Sequence, residues 1–128
     1  MKFPIVSRFF ILLLALCLAA GAQASTSNKW RLQFSGGADS DGTIVFRVTP
    51  KGSAEERYSV DIEDGRSENG VAKDVVSALR DQMPEDHYHI ERDDGEDVLI
   101  KRRRGTADFG IEIESNTVKG VRINRDKE

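Results

Sequence analysis

Apolar residues occupy every second position in three short segments near the start of the chain. These segments span residues 30–34, 44–48 and 58–62, and polar residues fill the positions between, apart from Val45. A period of two places the apolar side chains on one face of a β-strand. Residues 36–42 and 50–52 separate the segments and are rich in Gly, Asp and Pro, which favour turns. The pattern therefore predicts three strands joined by short turns.

The hydrophobic period changes to that of an α-helix after residue 66. From Val71 to Met83, apolar residues recur at steps of three and four, which places them in one stripe along a helix. Ser67 has a side chain suited to the N-cap, and Pro84 cannot continue a helix. We predict one amphipathic helix of roughly four turns between these two residues.

Two-residue alternation resumes in four further segments, around residues 88–91, 98–100, 109–113 and 121–123. Asp93-Asp94-Gly95 predicts a tight hairpin between the first two of these segments. A three-residue loop with Gly95 in the left-handed conformation would set Ile90 opposite Val98, so that both partners are apolar.

The predicted order of elements is βββ-α-ββββ. Short connections between successive strands favour an antiparallel sheet. The single apolar stripe of the helix then has to cover one face of that sheet. We therefore predict an α+β domain of two layers, with one amphipathic helix packed on a mainly antiparallel sheet.

The first 24 residues have the pattern of a secretory signal peptide. Lys2 and Arg8 precede an apolar run from Phe9 to Ala20, and Ala22-Gln23-Ala24 forms a small-x-small cleavage site. We predict that residues 1–24 are cleaved. The remaining residues, 25–128, would form a single small domain with frayed ends at 25–28 and 125–128.

Neither a membrane anchor nor a lipid anchor is expected from this leader. A membrane-spanning helix needs about 20 consecutive apolar residues, and the run here is shorter. Cys17 could carry a lipid, but the bulky Leu16 precedes it where a small residue is expected. We predict an exported protein, periplasmic or secreted, with no permanent membrane anchor after cleavage.

Cleavage would change the composition of the protein. The full chain has 128 residues, with 19 Lys and Arg, 22 Asp and Glu, and a single Cys. Loss of the leader leaves 17 basic and 22 acidic residues, a net charge of −5, and no Cys. Disulfides and a catalytic thiol are then not expected, and the acidic charge and exported address disfavour nucleic acid as a partner.

His87, His89 and Glu91 form a candidate metal site. On a strand, residues two apart share a face, so these side chains would project opposite Tyr88 and Ile90. Two imidazoles and a carboxylate are valid zinc ligands. The outer two residues would lie about 13 Å apart on a straight strand, so a further ligand would have to come from elsewhere. The alternative interpretation is a solvated polar face.

Lys101, Arg102, Arg103 and Arg104 form a run of four positive charges. Ammonium and guanidinium groups suit phosphate or carboxylate partners. We therefore predict a binding site for an anionic partner, either another envelope protein or an anionic component of the cell envelope. The alternative interpretation is a solvated strand end that prevents edge-to-edge pairing.

No catalytic motif is found in the sequence. A Gly-x-Ser-x-Gly elbow and a phosphate-binding loop are both missing, and no cofactor is implied. We predict a small exported protein that is not an enzyme, namely a binding, accessory or inhibitor-like module of the cell envelope. The alternatives are a metal-binding exported protein that uses His87 and His89, and a purely structural or interaction domain.

Overall fold

A computed structural model describes residues 25–128, which form seven strands and one helix. In chain order the elements are β1 (Lys29–Ser35), β2 (Gly42–Pro50), β3 (Glu56–Ile62), α1 (Glu68–Gln82), β4 (Tyr88–Asp93), β5 (Asp97–Arg102), β6 (Phe109–Asn116) and β7 (Arg122–Lys127). The predicted α+β class and the predicted order of elements are confirmed. The predicted signal peptide, residues 1–24, lies outside the described residues.

The strands form two antiparallel sheets, whereas the sequence predicted one. The first sheet has the order β4-β5-β1-β7 and the second the order β3-β2-β6. Neighbours in sequence pair in the β2–β3 and β4–β5 hairpins, but β1 pairs with the distant strands β5 and β7. The local hydrophobic period does not show which distant strands pair, so it could not predict that the strands divide into two sheets.

One hydrophobic core lies among the two sheets and the helix. Its fully buried side chains include Leu32 and Phe34 from the first sheet, Phe46 from the second, and Val71 and Leu79 from α1. Burial of a large apolar side chain stabilises the fold by about 1.5–3 kcal/mol relative to its exposure. The hydrophobic core therefore forms only when both sheets and the helix are packed together.

Ser27, just before β1, connects the two sheets. It forms an isolated antiparallel bridge with Phe109 of β6, and both backbone N···O distances are 2.9 Å. The indole Nε1 of Trp30 donates to the same Phe109 carbonyl oxygen at 2.7 Å. At the other terminus, β7 continues through Lys127. Residues in both segments that the sequence predicted to be frayed are thus paired in the structure.

The helix begins and ends where the sequence predicts, and it lies along an edge strand of each sheet. The Oγ of Ser67 accepts from the backbone N–H of Gly70, as an N-cap does. The Nε of Arg80 donates to the Ile90 carbonyl oxygen on β4 at 2.9 Å. The side-chain amide of Gln82 pairs with the backbone of Ser59 on β3.

The β4–β5 hairpin has a register different from the predicted one. Ile90 lies opposite Ile100 rather than Val98, because the three-residue loop is 94–96. Asp94 and Gly95 both have positive φ, 46° and 77°. This pair of left-handed residues places the turn one position later than predicted. The register of the two strands shifts by two residues, so every side chain stays on its predicted face.

Candidate functional site

The basic run does not form a continuous cationic surface. Lys101 pairs with Glu91 at 2.9 Å and Arg102 with Asp108 at 2.6 Å. The Nε of Arg103 donates to a backbone carbonyl, that of Glu85. Within residues 25–128, Arg104 is the member of the run with neither an ion pair nor a side-chain hydrogen bond. The charge available to an anionic partner is therefore smaller than the sequence suggests.

The three candidate metal ligands lie in two different places. His89 and Glu91 are in contact on the outer face of β4, with 3.2 Å between Nε2 and Oε2. Hydrogen bonds from Lys101 and then from His89 lower the pKa of Glu91. His87 lies before the strand, in the α1–β4 turn. No three His, Cys, Asp or Glu side chains are grouped to hold a metal within the described part of the chain, and the metal site stays a prediction.

An ion-pair network covers the outer face of the four-stranded sheet. Arg31 on β1 contacts Asp97 at 2.6 Å, Asp93 at 3.2 Å and the carboxylate of Glu128. The hydrogen bonds that Arg31 donates, first to Glu128 and then to Asp97, raise the pKa of Arg31 above its usual range. These carboxylates are therefore engaged within the domain and are poorly placed to recognise a ligand.

A cleft of about 480 Å³ opens at the end of the molecule where α1 stops. We call it the end cleft. It lies between the β2–β3 turn, the α1–β4 turn and the β5–β6 loop. Its lining includes Pro50, Glu56, Tyr58, Pro84, Tyr88 and Thr106. This volume falls within the range of about 300–1,000 Å³ that is usual for small-molecule sites.

Two buried tyrosines form the floor of the end cleft. Tyr58 is 7% exposed and Tyr88 is 8% exposed. The Tyr88 ring packs edge-on against Phe109, with ring centroids 5.0 Å apart. Burial, followed by the negative charge of Glu56, raises the pKa of Tyr58 to about 12 and also raises that of Tyr88. Both phenols are therefore neutral at physiological pH.

Glu56 places a carboxylate beside these phenols. It stands on the same face of β3 as Tyr58 and the core residue Val60. The Tyr58 hydroxyl donates to Oε2 of Glu56 at 3.2 Å. Glu56 has no ion-pair partner within 4.0 Å among residues 25–128, whereas the preceding Glu55 pairs with Arg47 and Arg57 on the opposite face.

Sequence reasoning did not find the end cleft. One signal was present, because Glu56 is a charged residue in phase with the apolar series Tyr58, Val60 and Ile62. The other elements of the cleft come from turns far apart in the chain, and only the fold brings them together. Of the predicted site residues, His87 alone lines the end cleft.

Comparisons with protein-family models and with curated protein sequences find no match for this chain. Among the described residues, α1 is neither long nor apolar enough to cross a membrane. The end cleft is therefore interpreted from its own geometry and charge.

Proposed function

We propose that this protein is a small exported binding module, without catalytic activity, that docks on a partner in the cell envelope. The end cleft is the observation that carries this proposal. A concave site with an apolar floor and a few convergent polar groups is the usual anatomy of a ligand-binding site.

Hydrogen bonds between the three bordering connections support a pre-formed cleft. The backbone N–H of Lys51 in the β2–β3 turn donates to the Asp108 carbonyl oxygen at 2.8 Å. The backbone N–H of Arg103 donates to the His87 carbonyl oxygen, also at 2.8 Å, and the Thr106 hydroxyl donates to the same oxygen at 3.3 Å. A rim already held in place loses less conformational entropy when a ligand binds.

The Tyr58 hydroxyl on the floor is suited to hydrogen bonding rather than to proton transfer at neutral pH. A general acid or base works best when its pKa is near the ambient pH. The pKa of Tyr58 is about 12, so its hydroxyl stays protonated and acts as a hydrogen-bonding group at neutral pH. Export is a separate part of the proposal, supported by the charged, apolar and small-x-small pattern of residues 1–24.

In-cell photo-crosslinking tests the proposal. Benzoylphenylalanine would replace Ala107, which lines the end cleft, in the full chain expressed in its native host. The matched control carries the same probe in place of the exposed Glu63, at the opposite end of the molecule near the start of α1. We expect a discrete crosslinked product from position 107, reduced by an excess of unlabelled protein, and no such product from position 63.

The same cells report on export. We expect the exported fraction to contain the protein with the mass of residues 25–128. Equal labelling from both probe positions, or none from position 107, would exclude the end cleft as the surface that contacts a partner in the cell envelope. Recovery of the protein from the cytoplasm with the mass of the full, uncleaved chain would exclude the exported location.

A further inference from the structure

We infer that the end cleft accepts the side chain of a Lys or Arg presented by a protein partner. This inference rests on the proposed function and specifies the chemistry of its ligand. The observation that supports this inference is the carboxylate of Glu56, which has no ion-pair partner among the described residues and lies next to two neutral phenols.

The charge of Glu56 is available to a ligand because nothing in the described domain neutralises it. Glu55 and Glu56 are adjacent in sequence but point to opposite faces of the strand. Glu55 contacts Arg57 at 3.0 Å and Arg47 at 3.5 Å, whereas the one hydrogen bond that Glu56 accepts from a side chain of residues 25–128 is that of Tyr58. A cation that reached Glu56 would form the charge-assisted hydrogen bond that the domain itself does not supply.

The walls of the cleft suit the stem of a long basic side chain. Pro50, Ala54 and Ala107 present apolar surface next to the polar group formed by Glu56 and Tyr58. Lys and Arg side chains combine a methylene stem, which gains from apolar contact, with a charged head that needs acceptors. The phenol oxygens of the floor have lone pairs that can accept further hydrogen bonds from such a head group.

The charges around the cleft also favour a cation. Lys51, Arg103 and Arg104 are near lining residues in sequence, but none of these three side chains lines the cleft. His87 lines the rim and lies near the carboxylate of Asp86, at 3.9 Å. The net charge of −5 expected for residues 25–128 would increase the rate at which a basic segment encounters the protein.

Four short peptides provide the first test. Each is an acetylated and amidated Gly-Ser-X-Ser-Gly, with Lys, Arg, Gln or Glu at the central position. The full chain, expressed and purified as the cell processes it, would be labelled with ¹⁵N and titrated with each peptide while amide chemical shifts are recorded. We expect the Lys and Arg peptides to shift the amides of Tyr58, Tyr88 and Thr106, and the Gln peptide to bind about tenfold more weakly. The Glu peptide should not bind.

A pair of neighbouring variants provides the second test. Glu56→Gln should weaken binding of the Lys peptide about tenfold, to the level of the Gln peptide. Glu55→Gln removes the adjacent carboxylate on the opposite face and should change that affinity less than about twofold. Both residues are exposed, so neither variant should alter the fold.

The outcomes separate this inference from the proposed function. Equal binding of the Lys and Gln peptides, no shifts with any peptide, or unchanged Lys affinity in Glu56→Gln would each overturn the inference. If crosslinking from position 107 persists at full yield in Glu56→Gln, the cleft is a binding site for a group other than a basic side chain. If the Lys peptide binds but position 107 gives no crosslink, the chemistry of the cleft stands and the cellular role fails.

Discussion

Gly36 and Gly52 have nearly the same backbone conformation but very different surroundings. Their φ angles are 82° and 79°, in the left-handed region that side chains disfavour. A Cβ added at Gly36 would lie 2.1 Å from the carbonyl oxygen of Gly120, whereas a Cβ at Gly52 would meet nothing within 4 Å. Gly36 is thus required both by its dihedral angle and by close contact between two loops.

Replacing each glycine by alanine should separate these two requirements. Gly52→Ala should lower the free energy of unfolding by roughly 1–2 kcal/mol, the cost of a left-handed alanine. Gly36→Ala should cost more than about 3 kcal/mol, because a backbone carbonyl also has to move. Urea unfolding followed by Trp30 fluorescence measures both values. Equal losses in the two variants would show that the loop contact adds nothing.

The two tyrosines of the end cleft predict a distinct alkaline titration. Unfolded tyrosine has a pKa near 10. Burial raises the pKa of Tyr58 to about 12 and raises that of Tyr88 as well. Absorbance at 295 nm should therefore show less phenolate at pH 10 in the native protein than in the urea-unfolded protein, in which about half of the tyrosine is ionised at that pH.

The same shift sets the sign of the pH dependence of stability. Because the folded state binds the phenol protons more tightly, their stabilising contribution is complete below pH 10 and decreases as the pH rises towards 12. Tyr58→Phe should make the stability curve flatter over this range. An unchanged slope in that variant would contradict the assignment of the shift to Tyr58.

At the level of elements, α1 protects an edge of each sheet. Edge strands expose unpaired backbone groups that can pair with other chains. The Nε2 of Gln82 donates to the Ser59 carbonyl oxygen at 2.8 Å, and its Oε1 accepts from the Ser59 N–H at 3.3 Å. The side-chain amide thereby takes the place of a neighbouring strand on β3, while Arg80 binds the edge of β4.

Removing this amide should open the edge of β3 locally. Gln82→Ala should lower the stability by about 1 kcal/mol and should increase hydrogen exchange at the Ser59 N–H. Ser77→Ala, at an exposed helical position, serves as the control and should leave that exchange rate unchanged. A Ser59 rate that is the same in Gln82→Ala and the unmodified protein would exclude the proposed protection.

The elements that the sequence predicted well are those with local causes. The helix has its apolar stripe, its cap at Ser67 and its stop at Pro84 within 18 consecutive residues, and the structure has the same bounds. The hairpin register was wrong because it depends on whether one or two residues of a short turn adopt positive φ. Asp94 adopts this conformation as well as Gly95, and composition alone does not decide between these turns.

At the scale of the whole molecule, the pairing of segments that are far apart in the chain could not be predicted from local sequence patterns. The period of two in β1 predicts a strand but not its neighbours, so the sequence suggested one sheet and the structure has two. The end cleft also depends on long-range pairing, since Pro50 at the end of β2, Pro84 and Thr106 come from three separate parts of the chain. The sequence shows Glu56 as a charged residue in phase with an apolar series. Its role as a candidate ligand-binding group depends on the residues that the fold places around it.

The pairing of β1 also determines when the fold can form. This strand lies near the start of the chain, yet Trp30 is opposite Ile100 on one side and Lys127 on the other. During synthesis at about 5–20 residues per second, β1 stays unpaired until β5 has been made, and its second neighbour, β7, is the last strand of the chain. The four-stranded sheet therefore closes only after translation ends. Under the export proposed above, this late closure would leave β1 unpaired while the chain is being transported.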